Sequence, residues 1–329
     1  MRKYLTRKVL IYLLTFIFAV TIDWLIPRFM PGNPIVVLLS RFRGLPQARE
    51  VMRSYLMQAF GLDQPLWKQY ISFWSALFRG DLGTSIYMYP QPVLKILKEA
   101  VPYDLGLLLP SIILSWIVGN TLGAVAARRR RLDNIMLPTM YFLSATPYLW
   151  LGILLAWIFG VVLGTFPIAG AYSFSMEPSW SWAFIWDFLH HWILPFLSLF
   201  IVMLGGWAIG MRNMVIYELE ANYARYLEAL GVSTRLIRRY AFRNAILPQV
   251  TGLALQLGGI VAGALTTEIV FSYPGIGYIL MQAILNQDYF LIQGCFLFII
   301  LGVLLANFFI DIVYVILDPR IRYAYGGEG

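Results

Sequence analysis

One cysteine, Cys295, and two adjacent histidines, His190 and His191, are all that 329 residues offer of thiol and imidazole. A disulfide framework needs paired cysteines, and a zinc site needs several such ligands at fixed spacing, so both are excluded. Lysine is also scarce: Lys3, Lys8, Lys68, Lys95 and Lys98 are the five, and none follows a glycine. The chain therefore lacks the G-x-x-x-x-G-K-[ST] loop that cradles nucleotide phosphates, and with it the usual means of hydrolysing ATP. Neither a G-x-S-x-G nucleophile elbow nor an H-E-x-x-H metalloprotease helix occurs, so an enzyme is a poor description. Charged residues make up 13% and hydrophobic ones 60%, against ~25% and ~45–50% in soluble domains. That balance belongs to a polytopic membrane protein.

A bilayer core of ~30 Å takes about 20 apolar residues per helix. Six segments qualify: 9–27, 103–127, 135–163, 192–216, 249–271 and 290–316. The opening MRKYLTRK resembles a signal peptide, but its apolar run is long and leads into Pro31-Gly32-Asn33-Pro34 rather than a small-residue cleavage site. A retained first span is expected. Arg2, Lys3, Arg7, Lys8, Arg128 to Arg131, six arginines from Arg212 to Arg243, Arg320 and Arg322 all fall on one side if the N-terminus is inside. Loops 165–191 and 272–289 contain no Lys or Arg. Both termini are thus expected in the cytoplasm. The net charge of +8 is a topology signal with some attraction to anionic lipid, and no nucleic-acid partner is expected.

The loop over 29–102 has Leu66, Tyr70, Phe73, Trp74 and Leu77 at helical spacing, bounded by Asp63-Gln64-Pro65 and Gly80-Asp81-Leu82-Gly83. A folded helical cap is expected, serving to pack on the membrane domain, to dock a solute-delivering protein, or both.

The most informative stretch is 223–248, YARYLEALGVSTRLIRRYAFRNAILP. Arg225, Arg235, Arg238, Arg239 and Arg243 would each cost ~2.5–3.5 kcal/mol in hydrocarbon, so this segment faces water between two spans. It reads as a docking element for a soluble partner: a short helix near Asn222–Leu230 carrying Glu228-Ala229-Leu230, a stop at Gly231, a basic helix over 234–244, and Pro248 at the next span. Pro147 interrupts the third span beside Trp150 and Gly152. Gly258, Gly259 and Gly263 put small residues, including a G-x-x-x-G, on the fifth, either as plain packing or as the wall of a pathway. Asp23, Glu268 and Asp311 are candidates to handle protons or ions within the membrane; the first and last lie near helix ends, where capping or an interhelical hydrogen bond competes with an ion relay. Trp116, Trp150, Trp157 and Trp207 suit an interfacial aromatic belt, or stacking on sugar rings or peptide side chains.

These stretches, with others spread along the chain, resemble the permease subunits of binding-protein-dependent ABC importers, in the dipeptide/oligopeptide branch. The matching segments are PGNP, GLDQPLWKQY, RGDLGTS, FPIAGAYS, HWILPFLSL, AFRNAILPQVT, LQLG, TTEIVFSYPGIG, NQDYFLIQG and FFIDIVYVILDPRIRY, in that order. Two departures stand out. Asn33 takes the place of a common aspartate, and Gly231 stands closer to Glu228-Ala229 than in the wider importer pattern.

The resemblance implies an all-α integral membrane protein with six transmembrane helices in a type I ABC importer permease fold. Its parts would be an N-terminal segment and first span (1–30), an external helical domain (31–102), and a five-span core (103–329) with a coupling loop at 217–248. It implies a multi-pass protein of a bacterial or archaeal cell (inner) membrane that works by alternating access. The implied partners are a second homologous permease, two ATP-binding cassette ATPases, an external solute-binding protein and membrane lipid. No cofactor is expected on this chain; ATP and Mg would sit on the ATPases. Tyr223, Arg225, Glu228, Ala229, Leu230, Gly231, Arg243, Asn244 and Pro248 would form the ATPase-coupling loop. Gly258, Gly259, Gly263, Glu268, Pro147 and Trp150 would line the pathway or gate. Family substrates include peptides, nickel, glutathione and oligosaccharides, and the scarcity of His and Cys disfavours nickel. The alternatives are a stand-alone ion-coupled carrier, which should show an inverted repeat and buried midplane ionisable groups, and a membrane-embedded enzyme or assembly factor.

Overall fold

A computed structural model describes residues 2–40, 46–258 and 264–317 of the chain. Gly259, Gly263, Arg320 and Arg322 lie outside the described residues. The described residues form helices and no named strand: α1 (Arg2–Phe29), α2 (Pro34–Ser40), α3 (Pro46–Ala59), α4 (Leu66–Phe78), α5 (Val93–Ala126), α6 (Arg130–Ala145), α7 (Tyr148–Leu155) with a π-helical extension (Ala156–Val162), α8 (Trp182–Glu220), α9 (Asn222–Ala229), α10 (Thr234–Gly258), α11 (Leu265–Val270), α12 (Ile276–Leu285) and α13 (Tyr289–Leu317). The chain divides into two compact units, one of residues up to Pro102 and from Gly275 onward, the other Tyr103–Pro274.

Among the described residues, four helical stretches are long and apolar enough to cross a bilayer: Thr6–Phe29, Val93–Ala126, Trp182–Glu220 and Tyr289–Phe308. The third expected span is a bent pair, Arg130–Ala145 and Tyr148–Val162, which meet at 97°. Its cause is local. Pro147 has no N–H to donate and pushes Thr146 into extended backbone (φ −71, ψ 124), so α6 stops at Ala145 and Pro147 opens α7. The fifth expected span, 249–271, is interrupted at Ala264, whose backbone is not helical (φ −107, ψ 54); α10 is described as far as Gly258, and α11 begins at Leu265. At its other end α10 runs from the basic segment through Pro248, where a boundary between two helices is expected from sequence. A proline removes one intrahelical hydrogen bond, here the one to the Asn244 carbonyl, and apolar packing on both sides carries the helix across. Ala245 and Ile246 pack with Ala124, Met211 and Val215.

In the first unit α1 packs along α13, and Val93, Ile96, Leu97 and Ala100 meet Ile276, Leu280, Ala283, Leu291, Ile292 and Cys295 in a closed core. Outward, Val9, Leu10, Leu13, Leu14 and Phe18 are exposed, as residues facing lipid would be. The loop over 31–92 contains α2, α3 and α4 and has a core of its own in Ile35, Leu38, Leu39, Leu56 and Ile86. Asp288 fastens this loop. Fully buried, it caps α13 by accepting the Leu291 N–H at 3.1 Å, and it also accepts the Ser85 hydroxyl and the Tyr87 N–H. Asp288→Ala would lose the cap and strand two donors, at an expected cost of about 2–4 kcal/mol. Limited proteolysis across 81–92 should become much faster in that variant; unchanged protection would show that the carboxylate does not hold the loop.

In the second unit α8 is the axis. α6 and α10 pack along it, with α7 and α11 towards the other end. Close approach is set by glycine: a Cβ at Gly205 would stand 2.7 Å from the Met140 carbonyl and the Ser144 nitrogen on α6. Arg212 adds a two-pronged ion pair to Asp133, with both side chains about four-fifths buried. Indole donors stitch further helices, Trp116 to the Gln249 carbonyl and Trp192 to the Gly106 carbonyl, both at 3.0 Å.

Candidate functional site

The arginine-rich corner between α8 and α10 is the best-built site. α8 ends at Ala221, whose extended backbone (φ −66, ψ 152) turns the chain directly into α9. α9 ends in a Schellman turn. Gly231 adopts φ +76, its N–H donates to the Glu228 carbonyl at 2.9 Å, and the Val232 N–H donates to the Leu227 carbonyl at 3.0 Å. A built Cβ at Gly231 meets nothing within 4 Å, so the demand for glycine is one of backbone conformation alone. The helix over 222–229 and its stop at Gly231 fall where the sequence places them.

α9 has two faces. Ala224 is buried and Tyr223 and Leu227 are half-buried against the unit, whereas Arg225, Tyr226, Glu228, Ala229 and Leu230 are exposed. Tyr226 and Leu230 are each more than three-fifths accessible, an apolar pair beside one positive and one negative charge on an eight-residue helix. Such a surface offers a partner a small hydrophobic centre with a charged rim. Arg243, Asn244 and Pro248, on α10, are exposed as well.

Glu218, which sequence reasoning missed, is what joins these parts. Its Oε2 accepts the Tyr223 hydroxyl at 2.7 Å and the Asn244 amide at 3.1 Å, so one carboxylate at the end of α8 binds both α9 and α10. Burial and this carboxylate together raise the Tyr223 phenol above its ordinary pKa, keeping it a donor at any physiological pH. An acidic residue at a helix end reads as solvated in sequence; only its two distant donors, 5 and 26 residues on, mark it out.

The residues expected at a gate are less coherent. Pro147 sits at the bend between α6 and α7, and Trp150 on α7 is half exposed. Gly152 is buried on the same helix, where a Cβ would touch Phe271 at 3.4 Å and Val270 at 3.5 Å, so α7 and the end of α11 pack closely. Glu268 on α11 is fully buried, and its carboxylate accepts the Ala264 N–H at 2.9 Å, capping its own helix. Gly258 is the last described residue of α10, and with Gly259 and Gly263 outside the described residues no small-residue face can be traced across them. Among the described residues no group of His, Cys, Asp and Glu is placed to hold a metal ion.

Comparison with known proteins agrees with this architecture. Residues 119–323 match the family described as binding-protein-dependent transport system inner membrane component. The chain is 30% identical to the di/tripeptide transport system permease protein DppB of Pseudomonas aeruginosa, over 98% of this chain and 99% of that one. It is 31% identical to the probable D,D-dipeptide transport system permease protein DdpB of Escherichia coli, over 93% of each. It is 28% identical to the oligopeptide transport system permease protein AppB of Bacillus subtilis, over 98% of this chain and all of that one. A chain whose described residues are helical with several apolar spans, matched by the family over 119–323 and aligned end to end with these permeases, belongs to the family of inner membrane components of binding-protein-dependent transport systems.

Proposed function

We propose that this chain is the permease subunit of an ATP-driven importer of dipeptides or oligopeptides. The observation that carries the proposal is the water-facing helix α9, ended by the Gly231 turn and pinned to α8 and α10 through Glu218. A membrane protein that receives force from a soluble ATPase needs a rigid external knob joined to a spanning helix, and α10 is one helix from the basic segment into the apolar one. Peptide as the solute is favoured over oligosaccharide by the names of the relatives, all of which refer to peptides.

In this proposal α9 enters a groove on an ATPase subunit. Ala229 allows close approach there, and Arg225 and Glu228 pair with charges of that partner. Two ATPases supply ATP and Mg, a second permease completes the pathway, and an external binding protein delivers solute. Six spans place both termini in the cytoplasm and residues 31–102 outside. Closure of the ATPases moves α9 and, through α10 and Pro248, rocks the helices that form the pathway, giving alternating access.

Proteoliposomes holding the assembled transporter and its loaded binding protein should take up labelled di- or tripeptide only with ATP, and a protonophore should leave uptake intact. The isolated chain should hydrolyse no ATP. One observation favours the ion-coupled alternative: Asp23 on α1 is buried, with neither carboxylate oxygen hydrogen-bonded. Arg28, little more than one turn on, donates to the Trp24 carbonyl at 2.7 Å and makes no ion pair with Asp23. Uptake by the chain alone, driven by a pH gradient, would overturn the importer proposal.

A further inference from the structure

The element that follows α9 forms a second site. Arg128, Ser233, Arg235, Leu236, Arg238, Arg239 and Phe242 line an open concavity of about 750 Å³. Four guanidinium groups from two separate parts of the chain converge there with one hydroxyl. Among the described residues, no hydrogen bond or ion pair engages any of the four. Asp133, the acidic residue nearest Arg128 in sequence, is already taken by Arg212. Unneutralised like charges around one hollow repel each other, and an anion that enters relieves all of them at once.

Depth in the membrane decides which anion. Arg128 lies two residues beyond the last residue of α5, a spanning helix. Its guanidinium is 6.0 Å from the Phe242 ring, and Phe242 and Ala127 both pack against the cluster that contains Ala124, so this part of α10 is level with the end of that span. Arg238 and Arg239 are one helical turn from Phe242, about 5 Å further from the hydrocarbon. The polar layer on each side of a bilayer is ~5–7 Å thick, so the hollow opens at the level of lipid phosphates. Phe242 supplies apolar wall on the side towards the acyl chains, and Leu236 adds apolar wall beyond the arginines.

We infer that this hollow holds the phosphate headgroup of an anionic phospholipid, bracing the base of α10 against the end of α5. The chemistry is that of basic pockets between spanning helices, where guanidinium groups meet a headgroup phosphate in two-pronged fashion. Ser233 is two residues past Gly231, so the site adjoins the turn that ends α9. The inference needs only that the chain spans a membrane, and it holds whatever solute is carried.

The test uses the assembled transporter in nanodiscs of mixed phosphatidylglycerol and phosphatidylcholine, with retained lipid counted by native mass spectrometry. Arg238→Gln with Arg239→Gln should reduce the preference for phosphatidylglycerol about 25-fold, roughly fivefold per arginine. Lysine at both positions should keep most of it. Arg130→Gln with Arg131→Gln, in the same basic stretch but outside the hollow, should leave it unchanged. An equal loss in that control would reduce the effect to general surface attraction and overturn the site. Displacement of the retained lipid by millimolar inorganic phosphate would make a soluble anion the occupant. Unchanged lipid with loss of the ATPase subunits would assign the arginines to the protein interface. A transporter that takes up no peptide but retains the lipid pattern would separate failure of the proposed function from failure of this site.

Discussion

Leucine at Gly205 is expected to prevent the second unit from forming, the largest loss of any single substitution proposed for this chain. A Cβ there would lie 2.7 Å from the Met140 carbonyl oxygen and the Ser144 nitrogen and 3.1 Å from the Leu143 Cβ. Overpacking of side chains that can move aside costs about 1–3 kcal/mol. Here the obstacle is the backbone of α6, which can retreat only if the whole helix leaves α8, taking the Arg212–Asp133 pair with it. Gly123 is held more closely still by the Ala208 carbonyl, and Gly119 by the Leu204 carbonyl at 2.8 Å. Gly206 is the control, since a Cβ there meets nothing within 4 Å. Detergent-extracted Gly206→Ala should elute as the parent does, while Gly205→Leu should be recovered only as aggregate or be degraded. A normal thermal midpoint for Gly205→Leu would mean that α6 and α8 are not in fixed contact.

At Gly231 a graded series should separate backbone strain from crowding. With open space around the built Cβ, the size of the new side chain is not what limits it. What remains is φ +76, which costs an L-residue about 1–2 kcal/mol, least for Asn and most for a β-branched residue. Transport and peptide-stimulated ATPase activity in the assembled system should therefore fall in the order Asn, Ala, Val, with Val losing roughly tenfold or more if ~1.4 kcal/mol or above is charged against the docked state. The folded helical domain should survive in all three, because no core contact changes. Equal activity across the series would remove Gly231 from the coupling pathway, and an order set by volume would show that a partner fills the space the isolated chain leaves open.

Much of this was legible in the residues, for identifiable reasons. Apolar length alone locates the stretches Thr6–Phe29, Val93–Ala126, Trp182–Glu220 and Tyr289–Phe308, because a bilayer rewards nothing else so uniformly. A lone glycine after Glu-Ala-Leu marks the end of α9, because left-handed backbone is cheap for little else. Pro147 signals an interruption, yet its effect depends on where the chain finds room afterwards, so the 97° bend is invisible in sequence. Pro248 gives the same signal and ends nothing, since packing of Ala245 and Ile246 outweighs one lost hydrogen bond. Asp288 and Glu218 were out of reach for another reason. Each is an ordinary acid until Ser85 and Tyr87, about two hundred residues earlier, or Asn244, on another helix, arrive to donate to it.

The bend between α6 and α7 also bears on how the protein is made. Helix ends leave carbonyls without partners, a severe penalty within lipid. Here the Thr146 hydroxyl donates to the Phe142 carbonyl at 2.7 Å, the Thr146 N–H to that of Leu143 at 3.2 Å, and the Ser144 hydroxyl to that of Tyr141 at 3.1 Å. Every donor comes from within five residues of its acceptor. The segment can therefore leave the insertion machinery already bent, with the Phe142 and Leu143 carbonyls satisfied from within it before α8 has been synthesised, so the order of translation need not match the order of packing.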